Sequence, residues 1–373
     1  MADPHIVLAG PHIVMAGPHI VMAGLVPAIS IRLCHAGTNV RRSPVQGHPC
    51  RKRTRGGVND VLIENVLNAL AAGLIIGCLY GLMCIGLGLI FGIMKVVNFA
   101  QGELLMLGMY VSLYLVGVWG VLSFLGPAAP FVGALIAGPV LFAGGALLHR
   151  LLLTRVSGLR TSGLLDEGAF GQLIVTLGLS LILQNAGLIV FGSSPRSVLT
   201  PLAARAFMIG PIIGDATLFL NKARLVACAV AIVVALALWL LMERTRLGKA
   251  LRAAADNPVA ATYMGIDVDR AYRIAFGLGA AITAVAGGLM ATYLSFTPFV
   301  GLDYVIIMYS GVVLGGMGSI LGAFWGGLTV GFVQQCSALV LPPQLQNAAI
   351  FVVFLLIVSL RPQGLFGRSA ERA

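Results

Sequence analysis

Apolar runs of about twenty residues recur along the chain between short polar or basic segments, and no other property restricts its fold so strongly. A helix rises about 1.5 Å per residue, so about 20 apolar residues cross the hydrocarbon of a bilayer. Backbone amides in lipid must be satisfied within their own segment, and these runs lack the alternation of a barrel strand, so each reads as a helix. Charged residues make up only 10% of the chain and apolar ones 58%, with a mean hydropathy of +0.97. A soluble domain carries about a quarter charged residues. The expected fold class is all-α: a polytopic membrane bundle of about eight or nine segments.

The first run covers Leu62 to Met94, and its glycines Gly73, Gly77, Gly81, Gly88 and Gly92 form a small-residue face for close packing. A polar stretch follows with Lys95, Asn98, Gln101 and Glu103. Polar groups between apolar runs mark either a membrane boundary or a working interior. The next runs are Leu104 to Leu125 and Phe131 to Leu148, with a turn at Pro127 and Pro130. Arg150, Arg155 and Arg160 then place a loop on the cytoplasmic side by the positive-inside rule. A fourth span, Ala169 to Phe191, carries Gln172, Gln184 and Asn185 and leads to a Pro-rich external segment with some short structure up to Arg224. The fifth span, Leu225 to Met242, returns inside.

The loop from Glu243 to Arg273 is the most charged part of the membrane region. Arg252 to Ala255 and Pro258 to Met264 read as two short helices, the second capped by Asn257 or Asp256 with Pro258 in its first turn. A sixth span, Ile274 to Leu294, reaches an outer loop around Pro298 and Asp303. The run Tyr304 to Gln335 is interrupted at Gly315-Gly316 and Gly318-Ser319. Crossing once, it would leave the tail with Arg361, Arg368 and Arg372 outside, so it reads as a pair of short or re-entrant segments. The last span begins near Leu345 and ends at Leu360.

Residues 1–57 are of a different kind. A unit of seven residues appears three times, "PHIVLAG" and twice "PHIVMAG", and a Pro in every copy forbids a continuous helix. The basic, breaker-rich stretch after it is expected to be disordered. A signal peptide would place the basic cluster first, and histidines seven residues apart in flexible chain preform no metal site. "MAGLVPAIS" resembles translated repetitive bacterial DNA, and Val58 is a candidate start. The expectation is that residues 1–57 are a non-native extension and that 58–373 are the membrane domain. Intact-mass measurement of the natively expressed protein checks this; finding 1–57 present sinks it. The charge balance agrees: residues 1–57 hold seven basic residues against one acidic, and the remainder seventeen against twelve. The net charge of +11 is therefore a tail and a set of loop ends, which excludes nucleic-acid binding.

No H-E-x-x-H, G-x-S-x-G or P-loop occurs, so no catalytic residue, metal or cofactor is expected, and any ATPase must be another chain. His149 beside Arg150 reads as a snorkelling interfacial residue, and the cysteines of the apolar runs as small buried hydrophobes. Glu103 is the sharpest intramembrane candidate. It is either a substrate-path group or a first-turn acid favoured by the helix dipole, with Asn98 capping. In the charged loop, Ala253, Ala254, Ala255, Ala260, Ala261 and Met264 would expose apolar surface unless something docked there.

"VVNFAQGELLMLGMYV", the Arg244 to Gly265 loop, "GLGAAITAVAGGLMATY", "VVLGGMGSILGAFWGG" and "RPQGLFGR" together resemble the high-affinity branched-chain amino acid ABC-transporter permeases, specifically the subfamily with an N-F-A-H-G-E motif. The likeness runs in unbroken order from Val61 to Arg368. It implies an inner-membrane permease in lipid, paired with a second homologous permease, two cytoplasmic ATP-binding subunits and a periplasmic substrate-binding protein. It also implies an ATPase-docking role for Arg252, Ala254, Asp256 and Gly265, with Asn98, Gln101 and Glu103 as motif and candidate translocation-path residues. Gln101 stands where the subfamily motif has His, so no role resting on a titrating His carries over. The family includes urea and short-chain amide permeases. An ion-coupled secondary transporter is the competing class, against which stand the missing inverted repeat and the scarcity of intramembrane acids.

Overall fold

The computed structural model describes residues 58–154, 165–198, 200–203, 205–213, 216–342, 345–361 and 363–366. The expectations for residues 1–57, Arg155, Arg160, Arg368 and Arg372 lie outside them. Helix α1 is Val58–Met94, 37 residues and so ~55 Å long, well beyond the ~30 Å of hydrocarbon. The chain then breaks and restarts as α2, Gln101–Leu113, which continues through a wider π turn to Val118. A 3-10 turn at Ser123–Ala128 leads into α3, Ala129–Leu148. Helix α4 is Leu165–Phe191. A two-stranded antiparallel hairpin follows, β1 Ala206–Ile213 and β2 Ala216–Asn221, where the sequence pointed only to some short structure. Helix α5 is Lys222–Arg244, α6 Arg246–Asp256, α7 Pro258–Tyr263 and α8 Val268–Met290. The chain ends with α9 Val300–Gly315, α10 Ile320–Ser337 and α11 Gln346–Leu360.

Among the described residues, six helical stretches are long and apolar enough to cross a membrane, with α9 and α11 as shorter apolar helices. The most apolar windows of α1 and α8 are 89% and 78% buried, against 28% for α4 and α5, so the first pair forms the centre and the second pair the rim. The glycine face of α1 behaves as its spacing predicts. Gly73, Gly77, Gly81 and Gly88 back onto Phe332, Leu328, Phe324 and Ala323 of α10, and Gly92 onto Gly318 just before it. That order makes α10 antiparallel to α1. On another side, Gly86 and Gly279 bring the backbones of α1 and α8 into contact, and a Cβ on Gly86 would overlap the Thr283 hydroxyl.

The interrupted run resolves into the expected pair. Gly316 and Gly318 both take positive φ, 99° and 97°, which only glycine adopts freely, and the chain reverses between α9 and α10. Ser319 caps α10, its Oγ accepting from the Gly322 amide at 3.1 Å. Gly315 and Gly322 then touch through their backbones. Asp303, expected in a loop, lies instead in the first turn of α9. The hairpin is tied to α1 by the Phe219 amide, which donates to Asn68 Oδ1 at 2.8 Å. Asn221 at its end caps α5, accepting from the Ala223 amide at 2.9 Å.

His149 corrects the snorkelling expectation. The helix continues past Leu148 as a π turn that rotates the ring inward, where it is 1% exposed and 5.8 Å from the Phe276 ring. Cys78, Cys84 and Cys228 are buried, and Cys336 is partly so.

Candidate functional site

The polar break is built by one strained residue. Lys95 takes φ +56°, the only positive φ at a non-glycine among the described residues, and turns the chain away from the end of α1. The segment after it does not stay at a boundary. Asn98, Gln101 and Glu103 are all 1% exposed or less, inside the helix bundle. Gln101 Nε2 donates to the Gly279 carbonyl at 3.1 Å and to the Thr283 hydroxyl, both near the middle of α8. Asn98 Nδ2 donates to Gln101 Oε1 at 3.0 Å, and Asn98 Oδ1 accepts from the Ala100 amide at 3.1 Å.

Asn98 and Gln101 thus form a closed network whose members satisfy one another, as buried amides must. Asn98 is not the helix cap that its position suggested. Ala100 occupies that place without a side-chain cap, and Asn98 closes the turn just before it. Glu103 is different. Its Oε1 receives one long hydrogen bond from Ser180 Oγ at 3.5 Å, and its Oε2 has no partner. The carboxylate lies in the first turn of α2 and against Gly301 in the first turn of α9, so two helix N-termini favour its negative charge. Ser180 is near the middle of the apolar part of α4, Gly171–Phe191, which puts this carboxylate deep in the bundle.

The second candidate is the charged loop. Its first helix is longer than the sequence suggested, Arg246–Asp256, because Thr245 caps it; Thr245 Oγ1 accepts from the Gly248 amide at 3.1 Å. Gly248, Leu251 and Ala254 face inward at helical spacing. Ala254 is 0% exposed, so its methyl is packing and offers nothing to a partner. Arg252 and Asp256 are exposed, and Arg252 pairs with Glu243 at 3.0 Å. Helix α7 follows as expected, with Asn257 Oδ1 accepting from the Ala260 amide at 3.0 Å and Pro258 in its first turn.

Gly265 ends α7 with φ +79°. Its amide donates to Thr262 O at 3.0 Å, and the Ile266 amide reaches back to Ala261 O at 3.0 Å, the paired bonds of a Schellman stop. Ala261 is buried as well, so of the alanines Ala260 is the exposed one, and larger side chains dominate the surface. Val259, Tyr263 and Met264 protrude, at 63%, 86% and 82% exposure. Val259 and Tyr263 escaped the sequence reading because alanines dominate the loop; two large apolar residues on a helix of six in a charged segment are the signal that would have found them. Ser180 escaped it too, although Gln172, Thr176, Ser180 and Gln184 recur every fourth residue.

Comparison with known proteins places the chain among transport permeases. The family model described as "Branched-chain amino acid transport system / permease component" matches residues 69–360. The high-affinity branched-chain amino acid transport system permease protein LivH of Salmonella typhimurium is 31% identical over 301 residues, 79% of this chain and 94% of that protein. LivH of Escherichia coli K12 is 30% identical over the same coverage. BraD of Pseudomonas aeruginosa, named in the same way, is 29% identical over 311 residues, 82% of this chain and 97% of that protein. No solved structure matches the chain.

Proposed function

The chain belongs to the family of permease components of branched-chain amino acid transport systems, and from that premise we propose that it is the membrane-spanning subunit of an ATP-driven importer in the bacterial inner membrane. Its substrates are branched-chain or related amino acids, the class named for LivH and BraD. The permease lacks an ATP-binding motif of its own and draws its energy from two cytoplasmic ATP-binding subunits. A periplasmic binding protein delivers the substrate, and a second homologous permease completes the path.

The observation that carries this reading is α7. A six-residue helix that holds Val259, Tyr263 and Met264 clear of the body pays an exposure cost that a docked partner removes. Arg252 and Asp256 flank that patch as charged contacts, Gly265 sets its angle, and Ala254 holds α6 in place beneath it. The second permease is assigned to the side formed by α9 and α11. There Asp303 and Asn347 are exposed beside Ile306 and Phe351, whereas the exposed side chains of α3, and those of α5 from Leu225 to Leu240, are apolar and suit lipid.

Uptake of labelled leucine by the reconstituted complex, with and without ATP, tests the function. ATP-dependent uptake is expected. Uptake by this chain alone without ATP would establish the secondary-transporter reading instead, and ATP-driven uptake of urea or acetamide in preference to leucine would establish the amide reading.

A further inference from the structure

Helix α4 is a rim helix with an apolar outer face and a polar inner one. Its exposed side chains include Ile174, Leu177, Leu181, Ile182, Ile189 and Val190, while the stripe facing the bundle holds Gln172, Thr176, Ser180 and Gln184. The stripe runs parallel to the start of α2. Thr176 Oγ1 lies 3.4 Å from the Val97 carbonyl, Ser180 Oγ 3.5 Å from Glu103 Oε1, Gly187 against Met106, and the Phe191 ring stacks on Tyr110 at 3.9 Å. Gln184 is fixed between Ser180 and Gly187, and therefore between Glu103 and the outer end of the seam.

Three polar atoms on this seam have no hydrogen-bond partner: Glu103 Oε2, Gln184 Nε2 and Tyr110 Oη. Their residues are 1%, 7% and 1% exposed. Burying one such group unpaired is costly, and a carboxylate most of all. Their chemistry is complementary along the seam, with a carboxyl acceptor at the deep end and two neutral donors, an amide N–H and a phenol O–H, farther out. Only 28% of the span of α4 is buried, so few contacts other than this seam join it to the bundle.

We propose that the α2–α4 seam is a binding subsite for a small zwitterion in transit, with Glu103 accepting from the ammonium group and Gln184 and Tyr110 donating to the carboxylate. The subsite rests on the importer reading above and gives it a chemical basis for selecting amino acids over amides. The Gly301 backbone beside Glu103 leaves the carboxylate room to turn, since a Cβ there would fall 2.7 Å and 2.8 Å from its two oxygens.

The test uses the reconstituted complex with its partner subunits. Leu183, half-buried beside the stripe, is replaced in a cysteine-free background as Leu183→Cys and labelled with a methanethiosulfonate reagent during ATP turnover. L-leucine is expected to slow labelling at least fivefold, while isovalerate and isopentylamine, which each carry one end of the zwitterion, slow it less than twofold. Glu103→Gln should abolish the protection by leucine in a complex that still co-purifies with its partner subunits as a single folded species. Labelling indifferent to leucine in a complex that transports it, or equal protection by the three compounds, overturns the subsite alone. Absence of ATP-driven amino acid uptake by the unmodified complex overturns the importer reading on which it stands. Gln184→Leu is the second variant: uptake falling at least threefold in an intact, co-purified complex supports the subsite, and unchanged uptake counts against it.

Discussion

Gly265 shows how much one backbone angle does. Its φ of +79° costs a residue with a Cβ roughly 1–2 kcal/mol, so Gly265→Val should unwind the end of α7 and misdirect Met264. The expected outcome is loss of ATP-binding subunits on co-purification, with the thermal midpoint of the permease itself lowered by only a few degrees. Arg252 gives the opposite contrast. Its exposed pair with Glu243 is worth about 0.2–1 kcal/mol, so Arg252→Glu should leave stability nearly untouched, and any fall in co-purification then reports on docking. Gln101 is a structural residue by the same reasoning. Gln101→Leu strips partners from Asn98 and Thr283 and should destabilise the protein by about 1–3 kcal/mol, seen as a lower melting midpoint in detergent. Part of this was readable in the chain: the Asn257 cap and the Pro258 start of α7 follow from local chemistry. The inward turn of His149 and the burial of Ala254 were not, because both depend on which neighbour arrives, and neither residue type decides that alone.

Helices were readable wherever a long apolar run left lipid as the only solvent that suits it, and the small-residue face of α1 pointed to a close partner without saying which. That partner is α10, more than two hundred residues later, and the contact leaves no room for side chains. Gly77→Leu should therefore push α1 and α10 apart, since even a Cβ there meets the Leu328 backbone at 2.7–3.3 Å. Size-exclusion chromatography in detergent should show aggregation or loss of the folded peak, while Gly117→Ala, which meets only one side-chain atom at 3.5 Å, serves as the tolerated control. Asn98 and Gln101 stood open between a membrane boundary and a working interior because their partners are far away in the chain. Once Gly279 and Thr283 accept from Gln101, both belong to the interior, while Lys95 stays exposed.

The molecule as a whole has two kinds of outer face, and they make a prediction about assembly. Cysteines placed at Ile306 and Phe351 should cross-link to the second permease, whereas cysteines at Leu135 of α3 and Val233 of α5 should meet only lipid and remain uncoupled. A cross-link from α3 or α5 would reverse the assignment. The restart of α2 inside the bundle bears also on how the protein is made. Gln101 lies 178 residues ahead of the carbonyl that it donates to, and a ribosome adding about 5–20 residues per second needs roughly 10–35 s to deliver that partner. Until then Gln101 Nε2 at the start of α2 lacks both of its acceptors. The seat of Gln101 therefore closes only after α8 has emerged, so the order of synthesis sets when this part of the bundle can form.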